Sequence, residues 1–390
     1  MKRVTIWIII LLLGLIAVSN DRSIEISDRT LVHAVGIDQD DSGYTVTLQV
    51  FKSEGAGSET QIDPSKPNTR IISNTAKTVS DAMTLCENQL GNYLFIGHNQ
   101  VIVLGPGVDL SDPKQLLDYF LNNKDSFLGV DMVLAESSAK DILDVQVSTG
   151  AITTENFKEV IKMYRDKGEV IPSSMVDFLN GSMKPDKSMT LPIVSVRSAK
   201  GDESSQSEEQ ESNDQEQQGE EQNGQEKPDT IFAVNENIVY SNGEAVGTLS
   251  PEEARCVSLI KNGTKYTTMT ISYKDRSMGL IVKKRRSKTK IKIDGNRLIY
   301  DVTLKVTVTP ENSTFSKKEK DDISKTVEEQ LTQQCHETFE KAYREYNADI
   351  LNLDSLAKHY IPKIYLKYKN DFDALKANTD LNIHVDCITK

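Results

Sequence analysis

The residues predict a multi-domain α+β protein: two to three mixed α/β domains, the last an antiparallel sheet packed with one long helix. Three observations carry this. Leu298, Tyr300, Val302, Leu304, Val306 and Val308 alternate with polar residues, the period-two mark of a half-buried antiparallel strand. Ser316 with Glu319 forms a capping box, opening a helix of about thirty residues, ~45 Å long, with Ile323, Val327, Leu331, Cys335 and Phe339 on one face. Upstream, strands alternate with helices, as in a layered α/β core. The 390 residues suffice for two or three units, since compact domains cluster near roughly 100–150 residues.

Met1-Lys2-Arg3 is followed by fifteen uncharged residues, Val4 to Val18. As a helix this run spans about 22 Å, short of a hydrocarbon core of roughly 30 Å and suited to the apolar part of an export signal. Ala17 and Ser19 supply the small residues of a cleavage site after Ser19. Residues 1–19 thus form a signal or anchor segment that takes the chain out of the cytoplasm, with cutting and retention both open.

Residues 20–198 form an N-terminal mixed α/β domain. Strands are expected over 31–37 and 44–51 around a polar turn at 38–43, then a helix over 75–90. An apolar stretch over 93–104 is interrupted by Gly97-His98-Asn99-Gln100. Asp112 ahead of Pro113 starts a helix with Leu116, Leu117, Phe120 and Leu121 on its apolar face. A strand over 130–135 and a short helix over 138–145 follow.

Residues 199–229 are an acidic low-complexity linker or loop. From 200 to 229 there is no aromatic or β-branched residue, so the stretch cannot bury enough apolar area to offset the entropy of ordering it. Residues 230–285 are expected as a middle hairpin-rich domain, with strands over 231–240 and 244–249 around Ser241-Asn242-Gly243 and a helix over 251–260. Further strands lie at 267–273 and 279–283. Residues 286–390 form the C-terminal sheet-plus-long-helix domain. It adds strands at 289–293 and 298–308, a second helix over 354–369 kinked or split at Pro362, and a closing strand carrying Leu381, Ile383 and Val385.

The formal net charge is −12. Residues 201–227 hold ten acidic side chains and one basic one, which leaves the rest of the chain at −3. A nearly neutral folded part has no basic field of the kind that recruits nucleic acid. A mean hydropathy of −0.43 excludes a multi-pass membrane protein. The five histidines show no HExxH or HxH, and GxSxG, P-loop and GxGxxG motifs are absent, so the sequence offers no enzyme. Four cysteines (Cys86, Cys256, Cys335, Cys387) are too few for a disulfide framework, and Cys335 on the helix stripe reads as a reduced core thiol.

Lys283, Lys284, Arg285 and Arg286, with Lys288, Lys290 and Lys292, place seven basic residues within ten positions. Such a run either docks on an anionic membrane surface, at about 1 kcal/mol per basic residue, or forms a solvated hairpin. Asn180, Asn262 and Asn312 head glycosylation triplets, which are common by chance.

Glu25-Ile26-Ser27-Asp28 followed by Val35-Gly36-Ile37-Asp38 resembles the start of the mature Ger(x)C spore-germination proteins. The segment Leu94-Phe95-Ile96-Gly97-His98, with Val101 to Gly105, resembles the family's Phe-x-Gly-His segment and the strand after it. Residues 131–143, 233–237 and 246–249 resemble later segments in the same order, with the acidic stretch as an insertion. The resemblance implies the C subunit of a nutrient germinant receptor, a non-enzymatic protein without cofactors. It implies a place on the outer face of the spore inner membrane, beside a multi-pass A subunit and a transporter-like B subunit. It also implies three α+β domains. His98 matches a family position and is expected as a buried, hydrogen-bonded structural histidine. The family's lipidated cysteine falls at Ser19 or Asn20, and neither is cysteine. Thioether lipidation there is impossible, so an uncleaved N-terminal helix or the partners are expected to hold the protein. A free-standing extracytoplasmic small-molecule binding protein is the alternative.

Overall fold

A computed structural model describes residues 28–51, 69–145, 153–198, 230–311, 315–368 and 370–390. The expected signal or anchor segment, the acidic stretch, Ser19, Asn20, Glu25 and Asn312 lie outside them.

The first sheet opens with a hairpin, β1 (Arg29–Asp40) against β2 (Gly43–Phe51), whose ladder runs to Asp40 opposite Gly43. The chain then forms β3 (Thr69–Ala76), α1 (Val79–Leu90), β4 (Tyr93–Phe95) and β5 (Val101–Leu104). The helix expected over 75–90 thus begins at Val79, because Thr75 and Ala76 pair with β2 and Thr78 supplies the N-cap. Next come α2 (Pro113–Leu116), capped by Asp112, α3 (Asp118–Asn122), β6 (Asp131–Ala135) and α4 (Ala139–Leu143). Two further helices, α5 (Thr153–Lys167) and α6 (Met175–Ser182), and the strand β7 (Met189–Ser198) follow.

Past the acidic stretch, β8 (Thr230–Ser241) pairs antiparallel with β7, from Ser198 opposite Thr230 to Met189 opposite Tyr240. The acidic stretch therefore joins the two strands of one hairpin. With β9 (Glu244–Leu249) the sheet order is β3-β2-β1-β5-β6-β7-β8-β9, and β4 adds to the start of β1. The ladders from β1 through β7 are parallel. Val32 to Ile37 and Val101 to Leu104 are buried without interruption, as expected of a parallel core covered on both faces. One face packs Met83, Phe120 and Phe178, and the other packs Ile142, Phe157 and Phe232.

The second sheet has order β10-β11-β12-β13, from β10 (Tyr266–Tyr273), β11 (Arg276–Asp294), β12 (Arg297–Pro310) and β13 (Thr379–Thr389). Before it comes α7 (Pro251–Ile260); between β12 and β13 lie α8 (Lys317–Glu340), α9 (Leu353–Tyr360), α10 (Pro362–Tyr368) and α11 (Phe372–Ala377). The α8 capping box forms as expected, and Ile323, Val327, Leu331, Cys335 and Phe339 are all buried. Each such apolar side chain stabilises by about 1.5–3 kcal/mol. The helix runs on through a π turn at Lys341–Glu345. The second helix is split at Pro362 as expected.

The expected middle unit is divided between the two sheets. β8 and β9, assigned by sequence to a middle unit, extend the first sheet, because β8 pairs with β7 and β9 with β8. The 285/286 boundary lies inside β11, one strand of 19 residues where two were expected. The closing strand β13 runs parallel to β12, so the C-terminal sheet is antiparallel only from β10 to β12. A parallel neighbour needs a crossover, which α8 to α11 provide.

Candidate functional site

The motif residues of the first sheet explain one another. The Asp38 carboxylate at the end of β1 accepts from the backbone N–H of Ala139 at 2.9 Å and of Lys140 at 3.2 Å, beside the N-cap Ser138. It caps α4, so its role is to fasten a helix to the sheet. Gly36 makes room for that helix: a Cβ there would lie 3.0 Å from the Ala139 Cβ and 3.1 Å from Leu143 Cδ1. Gly105 makes room for the carboxylate, with which a Cβ would collide. Asp28 is exposed just before β1.

Gly97 sits against the Phe95 ring, where a Cβ would come within 2.7 Å. His98 is exposed, which corrects the buried, hydrogen-bonded role expected of it. The 3-10 turn Ile96–His98 spends its inward position on Ile96, leaving His98 edge-on to Phe95 at 6.2 Å. The buried histidine is His33 on β1, whose two ring nitrogens have no hydrogen-bond partner among the described residues. Burial lowers its pKa, and the neighbouring His98 adds to the effect.

The two sheets are locked together by a buried charge network that no sequence pattern announced. Lys376 on α11 lies 3.0 Å from Asp186, both fully buried. Its ammonium also donates to the Asn347 carbonyl at 2.6 Å and meets Asp373 at 3.0 Å, which satisfies all three protons. Asp186 accepts in addition from the Asp349 N–H at 2.9 Å. The Asp349 carboxylate accepts from the Tyr343 hydroxyl at 2.7 Å and from the N–H groups of Leu353 and Asp354. Burial, with Asp349 beside it, pushes the Tyr343 phenol far above its ordinary range. Lys184 donates to the Asp349 carbonyl at 2.6 Å and to Asn352 Oδ1 at 3.0 Å. A second tie lies at β9, where Gly247 leaves space for the Tyr346 ring and the Tyr346 hydroxyl donates to the Thr248 carbonyl.

Beside this joint opens a cleft of about 560 Å³, lined from both sheets' layers by Asp177, Lys184, Lys261, Asn352, Asp354 and Lys358, among others. Lys184 and Lys358 are engaged, the latter with Asp354 at 2.7 Å. The Lys261 ammonium has no hydrogen-bond or ion-pair partner among the described residues. Its side chain keeps contact with solvent, yet the surrounding protein desolvates the ammonium and, with Lys184 nearby, brings its pKa down to about 8.

The basic run lies on β11, and a β-bulge organises it. The pairing with β12 shifts between Lys284 and Arg286, leaving Arg285 as the extra residue. Before the bulge Lys283 faces outward opposite Thr307; after it Arg286, Lys288, Lys290 and Lys292 do. Ser287 and Ile291 then turn into the core. Lys284 leaves the expected patch: alternation puts it on the helix-covered side, opposite buried Val306, and burial lowers its pKa. The outer side chains Lys283, Arg285, Arg286, Lys288, Lys290 and Lys292 are exposed. Lys292 pairs with Asp301 at 2.6 Å, whereas the other five make no ion pair or side-chain hydrogen bond among the described residues.

Among the described residues no group of His, Cys, Asp and Glu could hold a metal ion, and no helix is long and apolar enough to cross a membrane. All four cysteines are buried and free, and burial pushes the Cys387 thiol up to about 12. These features define a class: a two-sheet α/β protein in which a buried charged joint locks a doubly covered sheet to a helix-backed one.

Residues 22–196 match the family model described as Spore germination protein N-terminal domain, and residues 237–389 that described as Spore germination B3/ GerAC like, C-terminal. The chain belongs to the Ger(x)C family of spore germination proteins, which are parts of germinant receptor complexes. The crystal structure of the GerBC protein is similar in fold, with a TM-score of 0.52 and 16% identity over 91% of this chain and 96% of that one. No curated protein matches the chain in sequence.

Proposed function

We propose that the chain is the C subunit of a nutrient germinant receptor, on the outer face of the spore inner membrane. It acts without catalysis. It scaffolds a multi-pass A subunit and a transporter-like B subunit so that germinant binding triggers germination. The observation that carries this reading is the Asp186–Lys376 joint, which makes the two sheets one body able to hold two partners in fixed relation. With Ser19 or Asn20 at the lipidation position, retention falls to the Val4–Val18 segment or to the partners. Affinity purification of the tagged protein from spore membranes, with mass spectrometry of what accompanies it, tests this. Recovery of both partner subunits is expected. Recovery of the protein alone from the soluble fraction would defeat it.

One observation favours a second reading, that of a small-molecule binding protein. The cleft at the joint carries a cation, Lys261, whose ammonium is unpaired among the described residues and suited to a small acid-bearing molecule.

A further inference from the structure

We propose that the outer face of the second sheet is a docking surface for anionic phospholipid headgroups, with Lys283, Arg285, Arg286, Lys288 and Lys290 as its contact cations. The proposal rests on the reading that the chain works at a membrane, and it stands without the partner subunits.

The bulge is the first support. In an unbroken strand the even-numbered lysines 288, 290 and 292 would lie on the same side as Lys284, facing the core. The extra residue at Arg285 moves them outward, in one row with Arg286. Alternate strand residues stand roughly 6.7 Å apart, so Arg286 to Lys292 form a row of about 20 Å. Lys283 and Arg285 extend it.

The second support is an excess of cations over the acids beside them. The face has acidic residues: Asp301, opposite Lys290, pairs with Lys292 and Asn382, Asp386 feels Arg285 but pairs with Lys305 at 2.5 Å, Asp380 pairs with Arg297 and Arg344, and exposed Asp294 ends the strand. The five named cations therefore face solvent unpaired among the described residues. Folded proteins do not need such a row for stability, since like charges on one face repel.

The third is the shape of the surface around the row. Across the ladder the row faces Thr307, Lys305, Thr303 and Asp301 on β12, and beyond Lys283 the face continues with Thr268 on β10 and Thr309 on β12. Exposed Tyr266, opposite Lys283, and exposed Ile388, in register with Thr307, flank the cations on the two edge strands. Point charges on flexible stems match mobile phosphates, and an amphipathic rim suits the headgroup layer.

The test uses the full chain bound to protein-free vesicles, so a missing partner subunit and a missing lipid contact read out separately. Lysines are acylated and quantified by mass spectrometry on phosphatidylcholine vesicles and on vesicles containing phosphatidylglycerol. The Val4–Val18 segment can hold the chain on both. Labelling of Lys283, Lys288 and Lys290 is expected to slow at least about fivefold on the anionic vesicles only, while Lys317 and Lys325 on α8 label equally on both. In Arg286→Glu/Lys288→Glu, affinity for anionic vesicles should fall at least about 25-fold, at fivefold per charge removed. The same charge change at Lys317 and Lys325 should leave it unaltered, which separates the face from net charge. Equal labelling on the two vesicle types would overturn the proposal. So would protection already present without vesicles, which would assign the face to another part of the chain. Protection only in the presence of spore-membrane proteins would also overturn it, in favour of an acidic protein partner.

Discussion

The Lys376 ammonium lies 3.0 Å from the Asp186 carboxylate, 190 positions earlier in the chain, with both side chains withdrawn from water. A buried pair of this kind is a weak source of net stability, because desolvating both charges opposes their attraction. Breaking it from one side is far more damaging, because the survivor stays buried and uncompensated. Lys376→Met is therefore expected to lower stability by about 3–5 kcal/mol. Asp186→Leu with Lys376→Met should lose less than the two single changes added together. Denaturant unfolding of the three variants checks this; additive losses would show that the pair does not act as a unit.

The Gly105–Asp38 contact yields a second expectation. Asp38→Ala removes the acceptor of the first two N–H groups of α4, leaving only the Ser138 cap, and should cost about 1 kcal/mol. Gly105→Ala pushes the same carboxylate aside and adds a steric clash, so it should destabilise at least as much. Thermal unfolding of both variants decides the order.

His33 gives the first sheet an acid sensitivity. Its pKa in the folded chain lies below the ordinary 6.5, from burial first and His98 second. The unfolded chain then binds the proton more readily, so the contribution is neutral well above pH 6.5 and stability is lost as the pH falls below it. Glu155 opposes the shift from α5. His33→Gln should flatten the stability profile between about pH 6.5 and 5. An unchanged slope in the variant would remove His33 as its source.

Lys261 should stand out chemically. With its pKa near 8 it is about half deprotonated at pH 8, whereas an ordinary lysine is deprotonated to less than about 1%. Acylation at pH 8 should therefore modify Lys261 tens of times faster than Lys325, read by mass spectrometry after brief exposure. If the cleft takes small acids, acetate should slow the reaction at Lys261 and leave Lys325 unaffected. Equal rates at the two lysines would place the Lys261 ammonium in ordinary solvent.

Much of the C-terminal sheet could be read in advance because its signals are local. The alternation from Leu298 to Val308, the Ser316–Glu319 box and the break at Pro362 each depend on neighbours within a few residues. The region from 153 to 198 was less legible for equally local reasons. Pro192 stands inside β7, where it argues against a strand, and is accommodated only because the pairing with β8 is irregular between Pro192 and Val194. The Ser174–Asp177 capping box of α6 is a local signal in the same region. His98 is exposed because the 3-10 turn over Ile96–His98 turns Ile96 inward, and no local residue pattern marks that choice.

From sequence alone come the α+β class, most elements of the second sheet, the motif set that resembles the Ger(x)C family, and the basic run, because each is written in residues adjacent along the chain. Only the tertiary structure decides that β7 and β8 pair across the acidic stretch, that Asp186 meets Lys376, and that one bulged residue turns the basic run to a single face. These depend on which distant groups share a low-dielectric interior and on the phase of a ladder, and neither is encoded at any one position.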